Sequence, residues 1–165
     1  MKVRIMRRIF TTALMFLVFQ AVQGQSLGRE YRTAIGVKVW DGAGLSIKHF
    51  TNDRAALEGI AYIWDKGFRI TGLYEFHGDI AGAPGLKWYV GPGAHVGFYD
   101  NDNDNNNEGA EDTYFGIDGV LGLDFKFNKV PINVSIDWQP VFEFGEGRGF
   151  YGNWGGLGIR YAFGK

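Results

Sequence analysis

The chain of 165 residues contains no cysteine and only four prolines, and its charges almost cancel. Without cysteine it has no disulfide framework, no zinc–thiolate site and no thiol nucleophile. The 17 basic and 18 acidic residues argue against a protein that binds nucleic acid by neutralising phosphates. The mean hydropathy of −0.14 is too low for a bundle of transmembrane helices.

Glycine and aromatic residues are abundant instead. The chain has 26 glycines, 14 phenylalanines, 8 tyrosines and 5 tryptophans. Glycine is a poor helix former, whereas aromatic residues are enriched in strands and glycine in the turns between them. A chain of this length allows one domain. The composition therefore favours a single all-β domain.

The N-terminal segment has the pattern of a secretory signal peptide. Residues 9–22 form an apolar stretch that is short for a transmembrane helix, and small residues follow at Val22 and Gly24. The basic residues that precede this stretch are Lys2, Arg4, Arg7 and Arg8. We therefore expect residues 1–24 to be cleaved during export, which leaves residues 25–165 as one mature domain.

Alternation of polar and apolar residues dominates the mature chain. In residues 132–144, Ile132, Val134 and Ile136 fall on one face, and Asn133 and Ser135 fall on the other. Such a period of two is typical of strands. Turn-forming residues separate eight runs of this kind, which are 32–39, 44–50, 55–64, 68–77, 86–99, 113–127, 132–144 and 153–163. The pattern predicts eight antiparallel strands in up-and-down order.

Within the eight runs, almost all charged residues lie on one face of each strand. The six basic and six acidic residues on these faces are Lys38, Lys48, Glu58, Arg69, Glu75, Lys87, Asp118, Asp124, Lys126, Asp137, Glu143 and Arg160. The opposite faces are apolar and aromatic. A soluble barrel holds its charges outside, whereas an outer-membrane barrel turns its apolar face to lipid. We therefore predict an eight-stranded antiparallel transmembrane β-barrel whose interior is filled with paired charges.

Other residues on the charged faces fit a narrow interior. His95, Tyr89 and Tyr99 share these faces, and we expect His95 to be a satisfied interior residue. Seven glycines there would make room for the long side chains, because eight strands enclose little space. These glycines are Gly91, Gly93, Gly97, Gly116, Gly122, Gly156 and Gly158. His49 and His77 are expected at the barrel rims.

The final strand has a recognisable terminal pattern. Gly158-Ile159-Arg160-Tyr161-Ala162-Phe163 resembles the terminal strand signal of bacterial outer-membrane barrels, although Gly164 and Lys165 follow the last aromatic residue. The mature chain as a whole resembles the small eight-stranded outer-membrane β-barrel proteins of Gram-negative bacteria. This resemblance implies a monomer in the outer membrane, with membrane lipid and the barrel-insertion machinery as partners. Its long connections, 100–112 and 145–152, would face outside the cell.

One loop has the spacing of a calcium site. Asp100, Asp102, Asp104, Glu108 and Glu111 occupy the first, third, fifth, ninth and twelfth positions of residues 100–111. However, strands rather than helices flank this run, and asparagine replaces the usual glycine at its sixth position. A hydrated surface loop is the favoured interpretation, and we expect no metal and no cofactor.

Two alternative functions remain open. The pair His49 and Thr51 resembles the His-x-Ser pair of an outer-membrane deacylase family, with threonine in place of serine. Ser135 and His95 complete the weak set of candidates for a lipid-modifying enzyme, and no convincing triad spacing is present. The second alternative is a soluble exported barrel that binds an apolar ligand. A pore is disfavoured because eight strands leave a narrow lumen. We expect no catalytic residue.

Overall fold

The protein is all-β in the computed structural model, which describes residues 31–40, 42–64, 67–101, 110–145 and 148–164. The predicted signal peptide, 1–24, lies outside these residues. No helix in the described ranges is long and apolar enough to span a membrane. The strands are β1 (Thr33–Trp40), β2 (Gly42–Phe50), β3 (Ala55–Trp64), β4 (Gly67–Asp79), β5 (Leu86–Asn101), β6 (Ala110–Lys126), β7 (Ile132–Trp138), β8 (Val141–Phe144), β9 (Phe150–Tyr151) and β10 (Gly155–Phe163).

These ten segments close into an eight-stranded barrel. Antiparallel ladders join β1 through β6 in order, and β6 pairs with both β7 and β8. The last segment returns through β9, which pairs with β8, and through β10, which pairs with both β7 and β1. Segments β7 and β8 together form the seventh strand of the barrel, which is interrupted, and β9 and β10 together form the eighth. The predicted eight-stranded antiparallel up-and-down barrel is confirmed.

The seventh strand of the barrel is interrupted, whereas the sequence predicted one continuous strand there. Pro140 has no backbone N–H to donate to a neighbouring strand. Backbone hydrogen bonds bridge the interruption, because Gly119 N donates to Pro140 O (2.8 Å) and Gln139 N donates to Trp154 O (2.9 Å). The prediction of one run over 132–144 therefore holds for its alternation, since Gln139, Val141 and Glu143 continue the buried face.

The longest predicted connection is shorter than the sequence indicated. Asp100 pairs with Glu111, and Asn101 pairs with Ala110, so both strands extend into the predicted loop 100–112. Strand β4 likewise continues past the predicted run 68–77. Its extension contains Gly78, where a Cβ atom would lie 2.3 Å from the indole ring of Trp88. A side chain at this position would collide with Trp88.

The two faces of the barrel wall differ completely. Large apolar side chains are exposed on the outside, as at Val37 (47%), Leu121 (53%) and Ile159 (50%). The inside holds buried charged and polar side chains. Phe125 departs from the pattern, because it is covered although it belongs to the aromatic face, and its ring packs edge-on against Phe127 at 4.8 Å.

Candidate functional site

The barrel interior contains eleven of the twelve charged residues that the alternation placed on one face. All eleven are buried. The exception is Lys126 at the end of β6, which is partly exposed and donates its Nζ hydrogens to the carbonyls of Phe127 and Val130. Since the strand ends at this residue, its side chain reaches the turn rather than the interior. We call this end of the barrel, where β1 begins and β10 ends, the turn end, and the opposite end the loop end.

A first group of ion pairs lies toward the turn end and centres on Glu58. Arg160 binds one Glu58 carboxylate oxygen through Nη2, and the Nζ atoms of Lys38 and Lys48 each lie 3.7 Å from the other oxygen. Ser46 Oγ donates to Glu58 Oε1 (2.6 Å). Glu58 therefore has three cations around it without contact with solvent.

Arg160 is held by polar side chains from neighbouring strands. Its Nε donates to Ser46 Oγ (2.6 Å), and its Nη1 donates to Ser135 Oγ (2.8 Å) and Asn133 Oδ1 (3.3 Å). These three partners lie on the same faces as the charges, but their small size and neutral character made them inconspicuous in the sequence. They saturate the guanidinium in a position from which water is excluded.

The remaining members of this turn-side cluster pair with the two lysines. Lys48 Nζ lies 2.8 Å from Glu75 Oε2 and 3.4 Å from Asp124 Oδ2, and it sits 4.2 Å from the centre of the Tyr89 ring. Lys38 Nζ lies 2.7 Å from Asp137 Oδ2. The cluster thus contains four carboxylates and three cations. Glu75 pairs with one lysine, Lys48, and its Oε2 also lies 3.5 Å from His77 Nε2.

A second group, the loop-side cluster, connects the interior to the connection after β8. Arg69 binds Asp118, and His95 Nδ1 lies 2.7 Å from the other Asp118 oxygen. His95 Nε2 faces Glu143 Oε1 at 3.7 Å, and Arg148 Nη1 lies 3.3 Å from Glu143 Oε2. Arg148 follows the end of β8, so this chain of contacts runs from the barrel wall to the loop.

Aromatic rings cover both arginines of the loop-side cluster. The Arg69 guanidinium lies 4.4 Å from the centre of the Trp154 ring, and that of Arg148 lies 4.6 Å from the Tyr114 ring. Trp154 lies in the interruption between β9 and β10, where the chain leaves the regular ladder. The sequence predicted a strand there and did not identify this aromatic cover.

Apolar residues separate the two clusters and close the turn end. Ile60, Leu73 and Val120 form part of a buried layer at intermediate positions along β3, β4 and β6. At the turn end, Tyr31 and Phe50 pack with their ring centres 5.1 Å apart, and small side chains surround them. These small residues are Ala34, Ala56 and Ala162. The interior therefore alternates between charged and apolar layers.

His77 was predicted at a rim, and this prediction is wrong. The residue is 3% exposed, its ring stacks on Tyr89 with centres 5.1 Å apart, and Phe50 lies at 4.7 Å. Its position near the end of β4 suggested solvent contact. Phe50 at the end of β2 packs on the His77 ring, and Tyr31 packs on Phe50, so residues outside β4 cover that end of the interior. The alternation of β4 alone could not show this. His95 is buried as expected.

The glycines of the inner face have the packing role predicted for them at six positions. A Cβ atom on Gly93, Gly97, Gly116, Gly122, Gly156 or Gly158 would lie 2.2 to 2.6 Å from an inward side chain. At Gly91 the obstacle is instead the carbonyl oxygen of Tyr74, at 1.8 Å. Close approach of side chains and of backbone both require glycine in this narrow interior.

The candidates for catalysis are not assembled into one site. Thr33 Oγ1 and His49 Nδ1 are hydrogen-bonded at 2.8 Å, while Thr51 Oγ1 donates to the carbonyl of Ala55 (3.1 Å). Ser135 binds Arg160 in the turn-side cluster, and His95 belongs to the loop-side cluster. Among the four candidates, which are His49, Thr51, Ser135 and His95, no two form a nucleophile–base hydrogen bond in the part of the chain that is described.

The structure leaves the calcium hypothesis as a prediction. Residues 102–109, which include Asp102, Asp104 and Glu108, lie outside the described ranges. Within those ranges, no group of three or more histidine, cysteine, aspartate or glutamate residues could hold a metal ion. Tyr99 lies in β5, but its side chain is also outside the description.

Comparison with known proteins finds a solved structure with a similar fold. No family model matches the chain. No curated protein matches it either. The crystal structure of the N-terminal β-barrel domain of OprF from Pseudomonas aeruginosa is similar to it, with a TM-score of 0.59 and 19% sequence identity. The similarity covers 82% of this chain and 99% of that domain, and it supports the eight-stranded barrel fold.

Proposed function

We propose that the protein is a non-enzymatic outer-membrane β-barrel, with its apolar outer face in lipid and its interior closed by ion pairs. The main support is that apolar side chains cover the outside of the barrel and charged side chains fill its inside. Twenty-nine large hydrophobic side chains of the described residues are exposed, while charged residues such as Lys38, Glu58 and Arg160 are buried. Water penalises this arrangement on both faces, whereas a bilayer stabilises the outer face.

Closure of the sheet supports the same proposal. Every unpaired backbone N–H or C=O costs several kcal/mol in hydrocarbon, so a sheet can cross a bilayer only when its edges pair. The ladder between β1 and β10 joins the first and last strands over seven residue pairs, from Thr33↔Phe163 to Val39↔Leu157. The barrel has no free edge at this seam.

The interior favours a structural role over transport of an apolar ligand. A soluble carrier needs an apolar chamber, but here buried ion pairs and apolar side chains occupy the space between the strands. The two charged clusters also argue against a permanent diffusion channel, because most of their side chains are buried and paired within the barrel. We therefore propose a role in envelope structure or in surface interaction.

The partners follow from the proposed location. Lipid of the outer membrane would surround the apolar face, and the connections 100–112 and 145–152 would carry any contact outside the cell. Export would use the signal peptide over residues 1–24. The barrel-insertion machinery would recognise the terminal strand, in which Tyr161 and Phe163 are exposed at 57% and 45%. The protein would act as a monomer, because its interior is filled without a second copy.

Fractionation and gel migration test this proposal together. We expect the protein in the sarkosyl-insoluble outer-membrane fraction, and we expect its unheated form to migrate differently from its boiled form in detergent gels. Both results follow from a folded barrel that needs detergent or lipid around its apolar face. A mature protein that is monodisperse in detergent-free buffer would contradict the membrane assignment.

A further inference from the structure

Three exposed cations lie at the turn end of the barrel. Arg32 is anchored next to β1, since its N–H donates to Gly164 O and its carbonyl accepts from Phe50 N, both at 2.8 Å. Arg54 precedes β3, and its carbonyl accepts a hydrogen bond from His77 N at 2.6 Å. Lys129 lies in the turn between β6 and β7. Backbone hydrogen bonds hold Arg32 and Arg54 at the strand ends. All three residues are exposed.

These three cations are not neutralised by carboxylates of the described residues. Asp79, on the same rim, is paired with Lys87. Asp53 is exposed beside Arg54 and forms no ion pair within the described part of the chain. We call Arg32, Arg54 and Lys129 the basic rim. Even with Asp53 included, the basic rim carries an excess of positive charge.

The exposed apolar surface ends directly at the basic rim. Phe163 is 45% exposed and pairs with Thr33, the residue after Arg32. Phe76 is 48% exposed and pairs with Ala55, the residue after Arg54. In a bilayer, cations placed one residue beyond an apolar band lie at the depth of the phosphate groups, where long basic side chains are favourable.

The opposite end of the barrel has a different charge. The sequence places nine acidic and two basic residues in the connections at the loop end and in the adjoining ends of β5 and β6. The acidic residues are Asp41, Asp65, Asp100, Asp102, Asp104, Glu108, Glu111, Asp112 and Glu146, and the basic ones are Lys66 and Arg148. Arg148 is already paired with Glu143. The capacity to attract anions is therefore confined to the turn end.

We propose that the basic rim binds the phosphate groups of anionic phospholipids in the membrane leaflet at the turn end. This inference rests on the proposed membrane location. Arg32 precedes β1, Arg54 precedes β3 and Lys129 follows β6, so the three cations face several sides of the barrel. A shell of lipids can contact all of them at once, whereas a single acidic protein segment would reach one side. Positive charge near an anionic leaflet strengthens such contacts.

Spin-labelled lipids test this proposal in reconstituted barrels. The folded protein is placed in phosphatidylcholine vesicles that contain a trace of spin-labelled phosphatidylglycerol or spin-labelled phosphatidylcholine. The motionally restricted fraction of each label reports its relative association with the barrel. We expect the wild-type protein to prefer phosphatidylglycerol several-fold, and we expect added salt to reduce this preference.

A pair of triple variants separates charge from structure. The neutral variant, Arg32→Gln with Arg54→Gln and Lys129→Gln, should lose most of the preference. The matched variant, Arg32→Lys with Arg54→Lys and Lys129→Arg, keeps the charge and should retain it. Asp53→Asn should increase the preference, because it removes a negative charge beside Arg54.

Equal association of the two lipids with the wild-type barrel would overturn the proposal, and so would an undiminished preference in the neutral variant. Heat-modifiable migration in phosphatidylcholine vesicles is measured first on the same samples. A barrel that inserts but shows no lipid preference contradicts the basic rim alone. A protein that fails to insert contradicts the proposed function itself.

Discussion

Individual glycines determine where the interior side chains fit. A Cβ atom on Gly122 would lie 2.5 Å from Tyr89 and 2.7 Å from Asp137, and both of these side chains are buried. Tyr89 donates its hydroxyl hydrogen to Asp137 Oδ2 at 2.5 Å, so a methyl group would push apart a hydrogen-bonded pair. Gly72 faces outward and has no atom within 4 Å of the equivalent position.

Gly122→Ala should therefore destabilise the barrel by about 1–3 kcal/mol through overpacking. Gly72→Ala should leave stability unchanged or raise it slightly, because alanine restricts the unfolded chain. Urea unfolding of the barrel in lipid or detergent gives both free energies. Equal effects of the two substitutions would show that the interior is looser than the contacts around Gly122 indicate.

The unequal numbers of cation partners in the turn-side cluster give a second residue-scale prediction. Glu58→Gln removes the carboxylate that Arg160, Lys38 and Lys48 share, and Arg160 keeps no other ion-pair partner among the described residues. Breaking a buried pair in this way costs about 3–5 kcal/mol. Glu75→Gln removes a carboxylate whose lysine partner, Lys48, keeps Glu58 and Asp124 nearby, so the loss should be much smaller. The same unfolding measurement compares them. A greater loss for Glu75→Gln would contradict the pairing described for this cluster.

At the scale of elements, two tryptophans hold the interruption between β9 and β10. Trp40 Nε1 donates to Asn153 O, and Trp138 Nε1 donates to Gly152 O, both at 2.7 Å. These tryptophans belong to β1 and β7, the two strands on either side of this segment. The indole groups thus replace ladder hydrogen bonds where the backbone turns away.

Trp138→Phe keeps an aromatic side chain and removes one of these donors. We expect faster amide exchange over residues 150–154 and a stability loss of about 1 kcal/mol. Trp88→Phe serves as the matched control, since Trp88 forms no such bond to this segment. Unchanged exchange in Trp138→Phe would mean that packing alone holds the interruption.

Alternation predicted the strands well because it reports which side of a wall each residue faces. It could not predict the interruption at Gln139 and Pro140, because the residues on either side keep the same period. It also could not assign Asp100 and Asn101 to a strand. Their composition is typical of loops, and only pairing with Glu111 and Ala110 extends the ladder. Contacts with partner strands determine such boundaries, and one strand's sequence does not contain them.

At the scale of the whole molecule, the alternation along each strand identified the charged residues of the interior. It did not identify the side chains that close the turn end of the barrel. The same faces of β1, β2 and β3 carry Ala34, Phe50 and Ala56, which close the turn end together with Tyr31. Whether the last inward residue of a strand is wet or buried depends on the residues that meet it across the barrel. The rim placement of His77 was wrong for this reason.

The proposed membrane location predicts that a charge on the outer face is costly according to its depth. Val37 lies in the middle of β1 and is 47% exposed, whereas Leu57 lies near the start of β3 and is 50% exposed. In lipid, Val37→Arg should cost about 2–4 kcal/mol, and Leu57→Arg about 0–1 kcal/mol. Equal, small losses in vesicle unfolding experiments would indicate that the outer face contacts water.

The orientation of the two faces can be measured directly because the chain has no cysteine of its own. Single cysteines at Val37, Ile117 and Leu157 would carry nitroxide labels on the outer face of the barrel in phosphatidylcholine vesicles. Collision with oxygen, which is concentrated in lipid, is compared with collision with a water-soluble nickel complex. We expect high oxygen accessibility and low nickel accessibility at all three positions. High nickel accessibility there would contradict an outer face in lipid.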